Sequence, residues 1–382
     1  MPEMTASQLH ALQNNLNGKT TAFVLAHLGV GGAQKIASFV MNELIEQGVD
    51  VTAIAHYETE EYVFLNPAVK RVFVGVNPSP ANAGLAKKVI LKTRCIKKYV
   101  QIFRKLNPDC IVMFGPDPLP NIALSICNYQ GKVIECERGD LNARNRLFRY
   151  VLKRCTARAD AAVFQFPGAR TAYGNYLPRV TADIPNPCGM RDDCIEAGRK
   201  KTNLVIAAGR LVPEKRFDLA INAFSDVVPI FPEKKLIIYG EGPEKERLEE
   251  LIHSKGLRDS VFLLEPVKNL PDVLSNAELF LLTSDYEGLP NTLIEAMVQG
   301  VPVIATDCSP GGARFLTENG TIGGPLVPCG DKRNLARAMI RMLSNEELAN
   351  EYGRLGQNLK RKYSPSTIAC QWMSLFSSVL SE

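Results

Sequence analysis

Short unbroken apolar runs alternate along this chain with longer stretches of helical period, the pattern of strands buried on both faces of a parallel sheet with helices packed over them. The runs of the first half are Thr21 to His27, Val51 to His56, Arg71 to Val76, Asp109 to Phe114 and Lys132 to Cys136. Those of the second half are Leu204 to Ala208, Lys235 to Tyr239, Val261 to Leu264, Leu279 to Leu282, Val301 to Ala305 and Leu326 to Pro328. Between them the spacing predicts a helix opened by LGVGGAQ and ended by Gly48, one over 84–106, one near Leu119 to Tyr129, and one in GEGPEKERLEELIHSKGL. Further helices are expected from Asn291 to a stop at Gly300, over Asn334 to Leu343, over Glu346 to Tyr363 and over Pro365 to Leu380. Strand and helix alternate, so the expected class is α/β.

The stretch Leu279 to Asp307, LFLLTSDYEGLPNTLIEAMVQGVPVIATD, forms one β-loop-α-β unit in this reading. Its loop lies at the carboxyl edge of the sheet, where the helix start offers free N–H groups and the positive end of its dipole, a good seat for a phosphate. Glu287 and Glu295 frame the loop with seven residues between them. Carboxylates there repel a phosphate, so they are better suited to accept hydrogen bonds from hydroxyl groups carried beside it. The plain alternative is that both are solvated surface residues. In the first half, Gly29, Gly31 and Gly32 open a helix after the first strand. This is not the dinucleotide fingerprint, since its third glycine falls on Gln34. A tight turn and a close approach to a ligand are both open for Gly31 and Gly32.

A chain of 382 residues, 46% hydrophobic, is long enough for two domains of similar size. Ile184 to Asn203 mixes proline, glycine and charge without apolar period and is read as the linker. The expected division is 1–185, 186–364, and a last helix 365–382 that crosses back to the first domain. No apolar run is long enough to span a bilayer, and Met1 to Lys19 lacks the apolar core of a signal peptide, so a cytoplasmic protein is expected. Ten cysteines with no C-x-x-C pair read as reduced, mostly buried thiols. Through Asp183 there are 22 Lys and Arg against 14 acidic residues; the remainder has 23 against 26. The excess centres on 84–106, where cations interleave with apolar residues, the pattern of a helix lying on an anionic membrane surface or of a packed helix with a solvated basic face. Membrane is favoured over nucleic acid because no nucleic-acid motif is present.

SDYEGLPNTLIEAMVQGVPVIATD resembles the signature of the retaining glycosyltransferases of family four, with a Glu, seven residues and a second Glu in an EGLPN loop. The same family shows a G-R-L-x-x-x-K segment at the head of its second domain, matched here by Gly209, Arg210, Leu211 and Lys215, and a YGEGP turn, matched by Tyr239 to Pro243. The resemblance covers nearly all of the C-terminal half and, more weakly, the rest. It implies the GT-B fold, two Rossmann-like domains facing one another across a cleft, the acceptor held by the first and a nucleotide-sugar, UDP-linked foremost, by the second. It implies metal-independent transfer with retention and no cofactor. The expected roles are Glu287 on the sugar hydroxyls, Glu295 on the ribose, Arg210 and Lys215 on the diphosphate, and around it the loop Gly288, Leu289, Pro290 and Asn291 with its backbone N–H groups, Pro290 having none. Gly209 approaches the donor, Gly31 and Gly32 approach the donor's phosphates or the acceptor, and Val267, at the end of Glu265 to Val267, seats the nucleobase. Many members place a histidine after the fifth strand; ECERGD here has none, leaving Glu137, Arg138 and Asp140 in that space. The implied acceptor is a glycan or a polyprenyl- or other lipid-linked oligosaccharide of bacterial surface polysaccharide, at the cytoplasmic face of the inner membrane. Another GT-B enzyme and a non-catalytic nucleotide- or glycan-binding protein are the competing readings.

Overall fold

The computed structural model of the chain describes residues 13–29, 31–59, 65–76, 84–189, 202–267 and 269–381. Most of the expected linker, including Cys194, lies outside the described residues. Backbone contacts divide the chain into two compact units, Met1–Pro185 with Thr367–Glu382, and Asn186–Ser366.

The first unit is built on seven parallel strands: β1 (Thr20–Leu25), β2 (Asp50–Ala55), β3 (Lys70–Phe73), β4 (Cys110–Phe114), β5 (Lys132–Cys136), β6 (Ala161–Phe164) and β7 (Val180–Asp183). Their order is β3-β2-β1-β4-β5-β6-β7. The chain therefore winds outward from β1, crosses back, and winds the other way from β4, a doubly wound sheet. Every residue of β4 is buried, which is why it reads as an unbroken apolar run. β6 and β7 are absent from the expected runs: each has four residues, and β7 (VTAD) is half polar and only partly buried.

The helix Gly32–Glu46 ends where Gly48 takes φ 80°, a left-handed value that glycine adopts without a Cβ penalty. The helix Leu85–Leu106 turns Cys95, Tyr99, Val100 and Phe103 into the core. The helix Pro365–Ser381 lays Trp372 and Phe376 against Phe114 and Phe23, with ring centroids 6.4 and 6.3 Å apart, so the end of the chain completes the core begun by its first strand.

The second unit repeats the plan with six parallel strands: β8 (Leu204–Ala208), β9 (Lys235–Tyr239), β10 (Val261–Leu264), β11 (Ala277–Leu282), β12 (Val303–Thr306) and β13 (Leu326–Val327). The order β10-β9-β8-β11-β12-β13 reverses between β8 and β11. Ala208 pairs with Tyr239 and Leu282 with Ala305, so the loops after these four strands leave one carboxyl edge together. Below them Val205, Ile238, Leu279, Phe224, Leu248 and Met339 form a buried core. The single helix expected over Glu346 to Tyr363 is two pieces, Glu346–Gln357 and Leu359–Lys362. At the break the Asn358 N–H donates to Leu355 only three residues back, the tightened geometry in which α-helices end.

Candidate functional site

The loop that leaves β8 turns through Pro213–Lys215 and places the Lys215 ammonium against the Glu287 carboxylate, which comes from the loop after β11. Their side chains are 22% and 13% exposed, so solvent weakens this attraction less than at an open surface. The Ser284 hydroxyl donates to the same Glu287 oxygen at 2.8 Å, and the Thr283 hydroxyl donates to the Lys215 carbonyl at 2.8 Å. The Glu287 N–H donates to Ser309 at 3.0 Å, tying the loop to the one after β12. Beside it, burial and then the Glu287 charge push the Cys308 thiol up to about 12, so it stays protonated.

Arg210 is set apart from that pair. Its side chain is 72% exposed, and its nearest carboxylate, Glu214, is 4.0 Å away. A neighbour that the sequence reading did not single out, Arg216, has φ 51° and donates to Asp218 and Asp285 at 3.1 Å each, which braces the turn carrying Lys215.

The helix Asn291–Val298 begins at Pro290 with no side-chain cap, so the N–H groups of its first turn are turned toward the end of the helix. Asn186, missed in the sequence because it stands in a proline-rich stretch read as linker, is buried and donates to the Leu289 carbonyl at 3.2 Å and to Asn291 Oδ1 at 2.6 Å. It holds the Gly288–Asn291 loop in shape. Gly312 packs against that loop so closely that a Cβ would lie 1.8 Å from the Gly288 carbonyl oxygen. At the β8 end, a Cβ on Gly240 would lie 2.0 Å from the Gly209 carbonyl oxygen, which accounts for the first glycine of the YGEGP turn. Glu295 is on the same helix as Asn291 but is buried, 5% exposed. Val267 follows β10 at the edge of the sheet, two strands away from β8.

Gly31 and Gly32 belong to the first unit, at the uncapped start of the helix Gly32–Glu46. Glu137 accepts from the Gly139 N–H at 2.8 Å and from the Tyr173 hydroxyl. Asp140 caps a short helical turn by accepting from the Asn142 N–H at 2.7 Å. The Arg138 guanidinium lies over Phe114 at 4.6 Å and over Trp372 at 5.4 Å. Arg138 and Asp140 thus have local structural roles, and Glu137 is a carboxylate held in place. Glu135 adds a second carboxyl at this end of β5: Asn121 donates to it at 2.7 Å, and burial pushes it up to about 8.

Comparison with known proteins bears on both units. Residues 192–359 match the model of the family described as glycosyl transferases group 1. The amylovoran biosynthesis glycosyltransferase AmsD of Erwinia amylovora is 28% identical over 358 residues, 90% of this chain and 95% of that protein. An exopolysaccharide phosphotransferase of Streptomyces coelicolor is 36% identical over 211 residues, 54% of this chain. That alignment takes in only 22% of the relative, and the chain spans no more than half the length of two further curated relatives. The Anabaena protein HepE, solved with UDP-glucose, superposes with a TM-score of 0.77 over 94% of this chain and all of its own, at 18% identity. This likeness shows the fold: two parallel-sheet, Rossmann-like units of the GT-B kind. The second unit is similar to group 1 glycosyltransferases through most of its length, and the chain as a whole is similar to bacterial polysaccharide glycosyltransferases.

Proposed function

We propose that this protein is a retaining, metal-independent glycosyltransferase that moves a hexose or N-acetylhexosamine from a nucleotide-sugar, a UDP-sugar foremost, to a glycan or lipid-linked oligosaccharide of a bacterial surface polysaccharide. The observation that carries the reading is the Lys215–Glu287 pair beside the uncapped start of Asn291–Val298. A compact cation and a cluster of helix-end N–H groups suit a diphosphate, and an acidic side chain within reach suits the hydroxyls of the sugar it carries. In the free protein each charge of the pair neutralises the other. When the donor binds, Lys215 turns to the phosphate oxygens, where negative charge grows as the sugar's anomeric carbon parts from the leaving oxygen. Arg210, already turned to solvent, adds its fork of donors to the same diphosphate. Glu287 and Ser284 orient the sugar, and Glu295 is assigned to the ribose.

Retention follows if the acceptor hydroxyl attacks on the face the diphosphate leaves. The anomeric carbon–oxygen bond to phosphate breaks, the bond to the acceptor oxygen forms, and the acceptor's proton passes to the departing phosphate. Gly31 and Gly32 are assigned to the donor's approach from the first unit. Bacterial surface glycans grow on lipid carriers in this reading, which turns the basic helix Leu85–Leu106 toward an anionic membrane surface. No described helix is long and apolar enough to cross a membrane.

A thermal-shift screen with UDP-, GDP- and ADP-sugars tests the donor class, since a ligand at a hundredfold its Kd stabilises by about 2.7 kcal/mol. NMR of the product's anomeric signal then tests retention. An inverted product removes the mechanism, and no shift with any nucleotide-sugar removes the reading as a whole.

A further inference from the structure

Six large apolar side chains of the first unit are exposed among the described residues, and all six stand on three helices: Val89 and Ile90 on Leu85–Leu106, Ile122 and Ile126 on Leu119–Cys127, and Leu147 and Tyr150 on Arg146–Thr156. They are 43–74% exposed, with Leu147 the most open. The other four exposed large apolar residues are in the second unit, on three different segments, Phe262 and Leu264 sharing β10.

The three helices share one face of the sheet. Ile111 and Met113 of β4 pack with Cys95 and Tyr99 of the first helix and with Ala123 and Leu124 of the second. Glu135, next on β5, is bonded to Asn121 of the second helix and lines a small cavity with Leu152 and Thr156 of the third. Right-handed crossovers from β3 through to β6 require the same arrangement. The helix Leu85–Leu106 also outruns the sheet. Its 22 residues span about 33 Å, roughly twice the length of β4. Cys95 Sγ lies 3.2 Å from His56, the residue after β2, so the turns bearing Val89 and Ile90 extend past the carboxyl edge.

Charge follows the same face. None of the three helices contains Asp or Glu, whereas Lys92, Arg94, Lys97, Arg146 and Arg154 are exposed on them. Cations beside uncovered aliphatic side chains are the chemistry of an interfacial helix, the apolar tips entering the acyl boundary and the cations meeting lipid phosphates. A nucleic acid would meet the cations and leave Leu147, Ile122 and Ile126 without a partner.

We propose that this three-helix face is a docking surface for an anionic lipid bilayer, with Leu119–Cys127 and Arg146–Thr156 as contact elements alongside Leu85–Leu106. The inference rests on the membrane reading of Leu85–Leu106 and extends it to two helices that carry no such assignment.

Co-sedimentation of the full chain with vesicles of phosphatidylcholine alone, and of phosphatidylcholine mixed with phosphatidylglycerol, tests it. Binding to the mixed vesicles alone is expected, weakening with salt. Ile122→Gln/Ile126→Gln is expected to lower partitioning about tenfold, and Arg146→Gln/Arg154→Gln to lower it roughly fivefold for each cation removed. Both variants should keep the circular dichroism and nucleotide-sugar thermal shift of the unaltered protein. Hydrogen exchange of the unaltered protein with and without vesicles gives a second readout, with protection expected in 119–127 and 146–156.

If only Lys92→Gln/Arg94→Gln weakens binding and exchange changes only in 85–106, the three-helix surface is overturned and the single basic helix stands. No binding to mixed vesicles overturns both. Tighter binding to a single-stranded RNA oligonucleotide than to mixed vesicles overturns the proposal in favour of a nucleic acid. None of these outcomes touches the sugar-transfer reading, which falls only if nucleotide-sugars fail to bind.

Discussion

In both units the strand order reverses at a central pair, β1 and β4 in one and β8 and β11 in the other, so each sheet opens its carboxyl-edge loops to either side of a gap. At the second gap, Lys215 meets Glu287 near an uncapped helix start. At the carboxyl end of β5 in the first unit stand Glu135, which burial keeps largely protonated at neutral pH, Glu137 and the Arg138 guanidinium, the two glutamates held by Asn121, Gly139 and Tyr173. A lysine and helix-end N–H groups attract a diphosphate, and these glutamates offer it no such attraction. One winding therefore presents two chemistries, set by the side chains at the strand ends. The closure of the two cores differs as well: the first unit needs Thr367–Glu382 from the far end of the chain, whereas the second is one continuous segment.

The largest expected effect tests that difference in closure. Trp372→Ala removes a fully buried indole and the platform under Arg138, at a cost of about 3–5 kcal/mol. Calorimetry should show a lowered transition for the first unit while nucleotide-sugar binding persists; equal loss in both units would break the contrast. Next, Lys215→Ala should lower kcat/KM by about 10²–10³, or about 2.7–4 kcal/mol, as for loss of one donor to a developing anion. Steady-state kinetics with the best donor from the screen checks it, and unchanged turnover would remove Lys215 from the site.

Gly312→Ala asks whether the support behind the loop matters apart from its charges. The added methyl overlaps the Gly288 carbonyl, so a cost of about 1–3 kcal/mol is expected, together with a higher donor KM. The smallest effect, taken per pH unit, concerns the first unit's carboxyl edge. Glu135 has its folded pKa raised from 4.5 to about 8, so below pH 4.5 both folded and unfolded forms are protonated and carry no penalty. As pH rises from 4.5 toward 8 the unfolded form ionises first, and stability falls by up to about 1.4 kcal/mol per pH unit. Glu135→Gln should remove that slope in a series of thermal melts, and an identical slope in the variant would contradict the burial of this carboxyl.

Much of the second unit was legible beforehand because its signals are local. β8, β9 and β10 fall where their apolar runs end, and the helix starts at Asn291 and stops at Gly300 as its pattern and its glycine predict. Less of the first unit was legible. β6 and β7 are too short and too polar to register as apolar runs. Only the packed fold shows Val89, Ile122 and Leu147 uncovered. Within the site, the spacing of Glu287 and Glu295 was visible, but not that Glu287 is paired with Lys215 or that Glu295 is buried.

By itself, then, the sequence determined the alternation of strand and helix, the glycine stops and the EGLPN loop, because each depends on residues within a turn or two of one another. Tertiary structure alone decided which distant groups meet: Lys215 with Glu287, 72 residues apart, Asn186 with Asn291, 105 apart, and Arg138 with Trp372. Such pairings are set by how parallel strands stack their loops at one edge and by which segment returns to close a core, and no local pattern of residues encodes either.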